Sequence, residues 1–365
     1  MKAAVFHSYL DNIGGAEIVA LYYCRALNAD LYTTNIDREK IIKMGFEDVL
    51  DRIKSIGAVP KMAPFRQQLT YFRFRRLNLS NKYDFYIIAG DWAMSGVVHN
   101  TPNAWYVHSP LNELWEFSNF VKTELLNWWK KPVFDIWVSF NRALTRYDSK
   151  KVNMWLCNSG NTQKRIKKYY NKDAEIIYPP VETDRYRCEK EKGYWLSVNR
   201  FARHKRVNLQ LEAFKKMPDE QLIIVGSYEK RVRHFEDYKN EIERNKSDNV
   251  TIKNWVNDSE LKDLYAHCKG FITTAHNEDF GLTAIEAMAS GKPVIAPREG
   301  GYCESVVDGK TGVLIDDISA DKIIDAIQII ERNIDVYKEH CFSQAKKFDL
   351  DVFVERNKKI INEEI

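Results

Sequence analysis

The chain has 365 residues, of which 44% are apolar and 29% are charged, and its formal net charge is +4. This composition excludes an intrinsically disordered chain, and the length favours two domains of ordinary size over one. No run approaches the roughly 20 apolar residues of a membrane-spanning helix, and the N-terminal apolar stretch is too short for a signal peptide, so we expect a cytoplasmic protein.

The two halves of the chain differ in charge. Residues 1–180 contain 25 Lys and Arg against 17 Asp and Glu, whereas the remainder contains 30 against 34. This asymmetry predicts two units with different partners. The six cysteines form no CxxC pair, which argues against a zinc site or a redox motif, and we expect them to be reduced and mostly buried.

Short runs rich in Val, Ile and Leu alternate with helix-length amphipathic segments along almost the whole chain. The predicted strands of the first half are Ala3–His7, Asp30–Thr34, Phe85–Ala89, Ala104–His108, Met154–Asn158 and Glu175–Tyr178. Those of the second half are Tyr194–Val198, Gln221–Val225, Val250–Lys253, Gly270–Thr274, Pro293–Ala296 and Gly312–Ile315. This alternation predicts an α/β fold of parallel sheets that are covered by helices on both faces.

Two consecutive prolines, Pro179 and Pro180, mark the break between the two series, because they can continue neither a helix nor a central strand. We therefore predict an N-terminal Rossmann-like domain over residues 1–180 and a C-terminal one over residues 181–350. The last helix, residues 351–365, is expected to pack back on the first domain. Ligands of doubly wound sheets bind beyond the carboxyl ends of the strands, so we expect a site in a cleft between the two facing domains.

The first predicted strand is followed by Gly14 and Gly15, which open a helix. Paired glycines let a backbone approach a ligand closely, and a helix N-terminus offers N–H groups to an anion. A simple tight turn is the alternative interpretation of this pair. Neither GxGxxG nor GxxxxGK[ST] occurs, which argues against NAD-type and P-loop sites.

Two segments of the first half combine cations with aromatic residues. Residues 61–82 contain six Lys or Arg, four aromatic residues and no acid, and residues 128–140 add Trp128, Trp129, Trp137 and Phe140 beside two lysines. Basic and aromatic surfaces bind anionic bilayers, so we predict peripheral association with the inner face of the cell membrane. The alternative places the aromatic side chains in the core and the cations in solvent. No recognition motif indicates nucleic acid.

Three predicted strand-end loops of the second half carry groups suited to a phosphorylated sugar. Residues 199–206 place four cations after a strand, where they suit a diphosphate. Residues 276–293 include the carboxylates Glu278 and Glu286, which are good acceptors for sugar hydroxyls, and residues 299–304 bring two further glycines. Each segment has an alternative interpretation. Residues 199–206 would be a solvated basic loop, and residues 299–304 a plain turn. Glu278 would then interact with a helix dipole, and Glu286 would be a surface charge.

These motifs resemble those of glycosyltransferase family 4, retaining enzymes of the GT-B fold, and more narrowly its mannosyltransferase-like members. Glu278 and Glu286 match the E-x7-E motif of that family, and Gly14-Gly15 match its N-terminal glycine loop. Arg200 and Lys205 match its phosphate-binding cations. The resemblance covers almost the full chain, and it is strongest over residues 194–312 and weak over residues 40–81.

The resemblance implies a role for each matching position. Arg200 and Lys205 would stabilise a departing diphosphate, and Glu278 and His108 would contact the transferred sugar, so these four are the expected catalytic residues. Glu286 would bind the nucleotide ribose. The other expected donor-binding residues are Gly14, Gly15, Asn199, Trp255, Val256, Phe280, Gly281, Leu282 and Thr283. Asn199 departs from the glycine that the family more often has, and a lone histidine at a strand end is otherwise usually structural.

The resemblance also implies a retaining hexosyltransferase that acts on a saccharide or lipid-linked saccharide acceptor in glycan synthesis. GDP-mannose is the favoured donor, and a UDP-hexose is the alternative. No metal or cofactor is expected, because cations already face the diphosphate and Asp349-Leu350-Asp351 is explained by capping of the last helix. The rival interpretations are a non-catalytic GT-B binding subunit and a GT-B-like phosphorylase or epimerase.

Overall fold

The structure, a computed structural model, describes residues 2–111, 113–227, 233–254 and 256–364. The chain divides into two compact units, Met1–Pro179 with Phe353–Ile365, and Pro180–Val352. We call them unit 1 and unit 2. Among the described residues, no helix combines the length and apolar character needed to cross a bilayer.

Unit 1 is built on a seven-stranded sheet in the order β3-β2-β1-β4-β5-β6-β7, and all neighbouring strands are parallel. The strands are β1 Ala3–Phe6, β2 Asp30–Thr33, β3 Ile53–Ser55, β4 Phe85–Ile88, β5 Asn103–Val107, β6 Met154–Cys157 and β7 Glu175–Ile176. The helices are α1 Gly15–Ala26, α2 Arg38–Lys43, α3 Phe65–Arg76, α4 Ser118–Phe120, α5 Lys131–Asp148 and α6 Gly160–Tyr170. The strand order reverses between β1 and β4, and the polar ends of these strands are therefore the natural place for a ligand.

Unit 2 is built on a six-stranded parallel sheet in the order β10-β9-β8-β11-β12-β13. The strands are β8 Tyr194–Arg200, β9 Gln221–Ser227, β10 Val250–Lys253, β11 Phe271–Ile272, β12 Val294–Pro297 and β13 Gly312–Ile315. The helices are α7 Val207–Lys215, α8 Arg233–Asn245, α9 Asp258–His267, α10 Leu282–Ala289, α11 Tyr302–Ser305, α12 Ala320–Glu331 and α13 Ile334–Ala345, and the last helix, α14 Leu350–Glu364, begins in unit 2 and continues into unit 1. Here the order reverses between β8 and β11, so the loops after these two strands are neighbours.

Most of the C-terminal helix α14 belongs to unit 1. The ring of Phe353 lies 4.8 Å from that of Tyr23 in α1, and the Tyr23 hydroxyl donates a 2.9 Å hydrogen bond to Asn357. Phe353, Asn357 and Ile361 are all buried. The segment therefore completes the core of unit 1 from the far end of the chain.

The alternation of strands and helices confirms the predicted pair of doubly wound parallel sheets, with differences at particular strands. Ile53–Ser55 forms a strand where none was predicted. The predicted strand Gly270–Thr274 is limited to Phe271–Ile272, and the Thr274 hydroxyl beyond it hydrogen-bonds to the carbonyls of Lys205 and Arg206 in the loop after β8.

Candidate functional site

The loop after β8 in unit 2 presents cations at the end of a central strand. Arg200 ends the strand with an exposed side chain, and no described residue forms an ion pair with it. Phe201 is fully buried against Gly226 of β9, where an added Cβ would lie 2.1 Å from the ring. The side chain of Asn199 is held inward by a 2.6 Å hydrogen bond that its amide donates to Ser197. The buried neighbours thus fix the point from which Arg200 leaves the sheet.

The four cations of this loop divide into two groups. Arg203 pairs with Glu241 at 3.0 Å, and Arg206 pairs with Glu299 at 3.1 Å while donating to the carbonyl of Thr274. These two are committed to holding the loop. Of the four cations predicted to suit a diphosphate, Arg200 and Lys205 therefore remain. The charges of both act on Glu278 in the loop after β11.

Lys205 and Glu278 form the central contact between the loops after β8 and β11. The Lys205 Nζ lies 2.5 Å from Glu278 Oε2, and both side chains are largely buried. Burial alone would raise the pKa of the Glu278 carboxyl, but the charge and hydrogen bond of Lys205, with His204 and Arg200, hold the pKa below its ordinary value. Glu278 is therefore ionised at neutral pH and accepts hydrogen bonds rather than donating them.

His204 lies beside this pair and was not singled out by the sequence. Burial, together with the positive charge of Lys205, lowers the pKa of its imidazole to about 4. Its backbone carbonyl accepts a 2.7 Å hydrogen bond from the His276 N–H, which joins the two loops. The ring is therefore neutral at physiological pH and adds no charge to that of Lys205 and Arg200.

Glycines let the loops after β11 and β12 meet. Gly301 N–H donates a 2.8 Å hydrogen bond to the Glu278 carbonyl. A Cβ on Gly300, whose φ is +58°, would lie 2.3 Å from that same oxygen. A Cβ on Gly301 would lie 2.4 Å from the Cα of Phe280. Gly300 and Gly301, the two glycines noted in residues 299–304, thus allow close contact with the backbone of the loop that carries Glu278.

Gly281 sets the entry of α10. Its φ is +88°, a conformation that glycine adopts without strain, and it packs against the buried Tyr302. Leu282 and Thr283 follow in the first turn, where helical N–H groups have no intrahelical partner and suit an anion. Phe280 is buried against Phe348 at 5.4 Å, so its side chain anchors the loop.

Glu286 lies in the second turn of α10, and the Tyr265 hydroxyl donates a 2.8 Å hydrogen bond to it. Burial raises the pKa of its carboxyl, against the opposing hydrogen bonds of Tyr265 and Tyr186. Sequence reasoning missed Tyr265, because a tyrosine on the apolar side of α9 carries no pattern that distinguishes it from a core residue. Of the two residues predicted between β10 and α9, Val256 is buried and Trp255 lies outside the described residues.

In unit 1 the predicted residues lie at the ends of β1 and β5. Gly14 is the N-cap of α1 and Gly15 its first residue. The His108 ring packs edge-on against Tyr106, and its Nε2 is buried with no hydrogen-bond partner among the described residues. Burial, with the neighbouring His7, lowers the pKa of His108 to about 3. His108 is thus a neutral ring with one uncommitted nitrogen.

No metal centre was found in the part of the chain that the structure describes, since no three of its His, Cys, Asp and Glu side chains are grouped to hold an ion. The Asp349 carboxylate accepts hydrogen bonds from Thr183 and from the Asp351 N–H at the start of α14. This contact fits the predicted capping role of the Asp349-Leu350-Asp351 stretch.

Comparison with known proteins connects this geometry to one family. A family model described as "Glycosyl transferases group 1" matches residues 182–347. The alpha-1,3/1,6-mannosyltransferase ALG2 of Dictyostelium discoideum is 25% identical over 86% of this chain and 86% of that protein. ALG2 of Rhizomucor pusillus is 28% identical over 54% of this chain, which spans 55% of that relative's length.

Solved structures share the fold over the whole chain. Anabaena Alr3699/HepE in complex with UDP and glucose matches with a TM-score of 0.78 and 16% identity, covering 100% of both chains. The sucrose-phosphate synthase of Thermosynechococcus elongatus matches with a TM-score of 0.75 and 15% identity, covering 99% of this chain and 98% of that one. Residues 182–347, which contain the motifs on the loops after β8 and β11, thus match glycosyl transferases group 1, and the whole chain has the GT-B fold.

Proposed function

We propose that the protein transfers a mannosyl residue from GDP-mannose to a saccharide or lipid-linked saccharide acceptor, with retention of the anomeric configuration and without a metal ion. The main support for the donor site is the ion pair between Lys205 and Glu278. It joins the loops after β8 and β11, where the strand order of unit 2 reverses. The similarity to mannosyltransferases over 86% of the chain supports mannose as the sugar.

In this proposal each charged group has one task. Arg200 and Lys205 neutralise the diphosphate as the bond between the anomeric carbon and the phosphate oxygen breaks. Glu278 accepts hydrogen bonds from hydroxyls of the sugar, since its pKa below the ordinary value keeps it ionised. Glu286, positioned by Tyr265, accepts from the ribose hydroxyls. His108 is the remaining residue proposed to contact the sugar, and its Nε2 has no hydrogen-bond partner among the described residues.

The proposed reaction needs no enzymic nucleophile. The acceptor hydroxyl attacks the anomeric carbon on the face from which the diphosphate leaves, and its proton passes to the departing phosphate oxygen. This route supports retention, because the new bond forms on the same face as the bond that breaks. The cations of Arg200 and Lys205 supply the charge stabilisation that a metal ion would otherwise provide.

Transfer from a UDP-hexose is the second candidate. It is favoured by the structural neighbour Alr3699/HepE, whose crystal structures hold UDP-glucose, UDP and glucose.

The test is release of nucleoside diphosphate from GDP-mannose, UDP-glucose and ADP-glucose, with and without simple saccharide acceptors and in the presence of a chelator. We expect release from GDP-mannose that rises when acceptor is supplied and that falls about 100-fold in Glu278→Gln. Glu212→Gln, an exposed carboxylate of α7, is the matched control and should keep full activity.

Four results would contradict the proposal. Activity that the chelator abolishes would contradict metal independence, and turnover of UDP-glucose alone would establish the second candidate. Conversion of a donor without acceptor, or phosphate-dependent turnover, would instead indicate an epimerase or a phosphorylase.

A further inference from the structure

The solvent face of α5 is apolar, which is unusual for a surface helix. Val133, Ile136, Phe140 and Tyr147 recur at spacings of three, four and seven residues, and they are 66%, 71%, 52% and 63% exposed. The opposite side of the same helix contains the buried Val138, with Asn141, Thr145 and Asp148. The helix thus packs on unit 1 through one stripe and presents a second, apolar stripe outward.

The helix α3 repeats this arrangement. Phe65, Leu69 and Phe72 are exposed at spacings of four and three residues, whereas Tyr71 and Phe74 are fully buried. The sequence alone left open whether the aromatic residues of this segment are core or surface. The structure divides them: Tyr71 and Phe74 are core residues, and Phe65 and Phe72 form the surface stripe.

The two stripes lie on adjacent helices. Gln68 of α3 accepts hydrogen bonds from the side chains of Trp137 and Asn141 of α5, and Arg75 pairs with Asp148. Gln68 and Arg75 are seven residues apart, and so are their partners Asn141 and Asp148, so the helices run side by side in the same direction. On each helix the exposed stripe is opposite the buried one, and the stripes therefore share one outward surface.

The N-terminal ends of both helices extend this surface. Met62 precedes α3 and is 62% exposed, and Trp128 and Trp129 precede α5 and are 82% and 57% exposed. We call the exposed apolar side chains of the two segments the α3–α5 face: Met62, Phe65, Leu69, Phe72, Trp128, Trp129, Val133, Ile136, Phe140 and Tyr147. Its tryptophans have the amphipathic character of residues that lie at membrane interfaces.

Cations border the α3–α5 face. Residues 61–82 carry six Lys or Arg and no acid, of which Lys61 and Arg66 are paired with Asp11, and residues 128–151 carry six against two acids. One of those acids, Asp148, is paired with Arg75, and the other, Asp135, is paired with Lys122 at 2.6 Å. A second copy of the chain seated on this face would bring two strongly positive surfaces together. Anionic lipid headgroups instead supply the opposite charge, while the acyl region receives the apolar side chains.

We propose that the α3–α5 face docks unit 1 on an anionic lipid bilayer, with the apolar side chains of α3 and α5 inserted at the interface and the bordering Lys and Arg on the headgroups. The helices lie in the plane of the interface. This surface belongs to unit 1, and the proposal does not depend on which sugar is transferred.

The test is co-sedimentation of the full chain with vesicles of phosphatidylcholine alone or mixed with phosphatidylglycerol. The variant Val133→Gln/Ile136→Gln/Phe140→Gln removes three exposed side chains without touching the core. The matched control is Ile329→Gln/Val336→Gln, two exposed apolar residues of unit 2 that are 48% and 60% exposed. Circular dichroism and the thermal midpoint check that each variant is folded.

We expect the wild type and the control to bind the anionic vesicles, and the triple variant to bind about tenfold less or worse. Binding should weaken as salt is raised, and the tryptophan emission should shift to shorter wavelength on binding. Equal binding by the folded triple variant, or no binding of the wild type to anionic vesicles, would overturn the proposal. Self-association of the wild type in sedimentation equilibrium that the triple variant loses would assign the face to a second copy instead.

Discussion

At the scale of single residues, the site consists of charges whose ionisation is set by their neighbours. Glu278 is buried enough that it would resist ionisation by itself, and Lys205 reverses that tendency at a distance of 2.5 Å. Glu286 has a tyrosine as its partner instead of a cation, and burial raises the pKa of its carboxyl. Glu278 and Glu286 therefore differ in ionisation because Lys205 is the partner of one and Tyr265 is the partner of the other. This difference agrees with their proposed contacts, the sugar for Glu278 and the ribose for Glu286.

The Lys205–Glu278 pair should show strong energetic coupling. Lys205→Met leaves an ionised carboxylate largely buried without its partner, so this variant is expected to lower the free energy of unfolding more than the double variant Lys205→Met/Glu278→Gln does. We expect a coupling energy of about 1–3 kcal/mol from urea denaturation of the wild type, both single variants and the double variant. Additive effects of the two substitutions would show that the pair does not form in solution.

His108 should make the protein less stable in acid. Its pKa in the folded state is about 3, whereas an unfolded histidine titrates near about 6.5, so the unfolded state alone takes up the proton as pH falls between these values. Stability from this residue is thus lost below about pH 6.5. His108→Gln should reduce the slope of unfolding free energy against pH by up to about 1.4 kcal/mol per pH unit.

The control for the histidine is His99→Gln, because that side chain is exposed. Urea denaturation at a series of pH values between about 6.5 and 4 gives the slopes. An unchanged slope in His108→Gln would mean that the imidazole is accessible to protons in the folded protein.

At the scale of elements, the site depends on how closely two loops approach. The loop after β12 contacts the backbone of residues 278–280 through two consecutive glycines, and any side chain there would occupy the position of a carbonyl oxygen or a Cα. The loops after β8 and β11 are joined by Thr274, whose hydroxyl bonds to the carbonyls of Lys205 and Arg206. The positions of Lys205 and Glu278 are therefore fixed by backbone contacts.

Gly300→Ala should disturb this contact, whereas Gly309→Ala should not. Both glycines have positive φ, +58° and +70°, so each substitution carries a backbone penalty of about 1–2 kcal/mol. At Gly300 the new methyl group also meets the Glu278 carbonyl, but at Gly309 nothing lies within 4 Å. We expect Gly300→Ala alone to weaken binding of a nucleoside diphosphate, measured by calorimetry. Equal losses in both variants would contradict the proposed role of the close approach.

Most strands could be predicted from sequence, because a run such as Val250–Lys253 is short, apolar and flanked by polar turns. Ile53–Ser55 could not, since two of its three residues are exposed and the strand lacks an apolar pattern. The candidate carboxylates and cations were likewise predicted from sequence. Which of the four cations are paired elsewhere could not be predicted, because the ion pairs of Arg203 with Glu241 and of Arg206 with Glu299 join residues far apart in the chain.

At the scale of the whole molecule, each unit has its own sheet and core, and the chain returns to unit 1 after completing unit 2. The return is made by α14, whose buried Phe353 and Asn357 contact Tyr23. Unit 1 is therefore assembled from two segments separated by about half of the chain. Its stability depends on residues that lie beyond all the proposed donor-binding positions.

Phe353→Ala should loosen unit 1 and leave nucleotide binding in unit 2 unchanged. Removal of a buried phenylalanine costs about 3–5 kcal/mol, and the loss should appear as faster hydrogen exchange of the amides in β1 and β5. Val352→Ala, the exposed neighbour on the same helix, is the control. Unchanged exchange in β1 and β5 of the Phe353 variant would contradict the packing of α14 on unit 1.

The central claim is that the loops after β8 and β11 bind the nucleoside diphosphate part of a sugar donor. Isothermal titration of the folded protein with GDP and with UDP, repeated with Glu286→Gln and with the exposed control Glu212→Gln, tests it most directly. We predict saturable binding of one nucleoside diphosphate by the wild type and the control, weakened about tenfold or more in Glu286→Gln. Absence of binding by folded wild-type protein, or equal affinity in Glu286→Gln, would contradict the account.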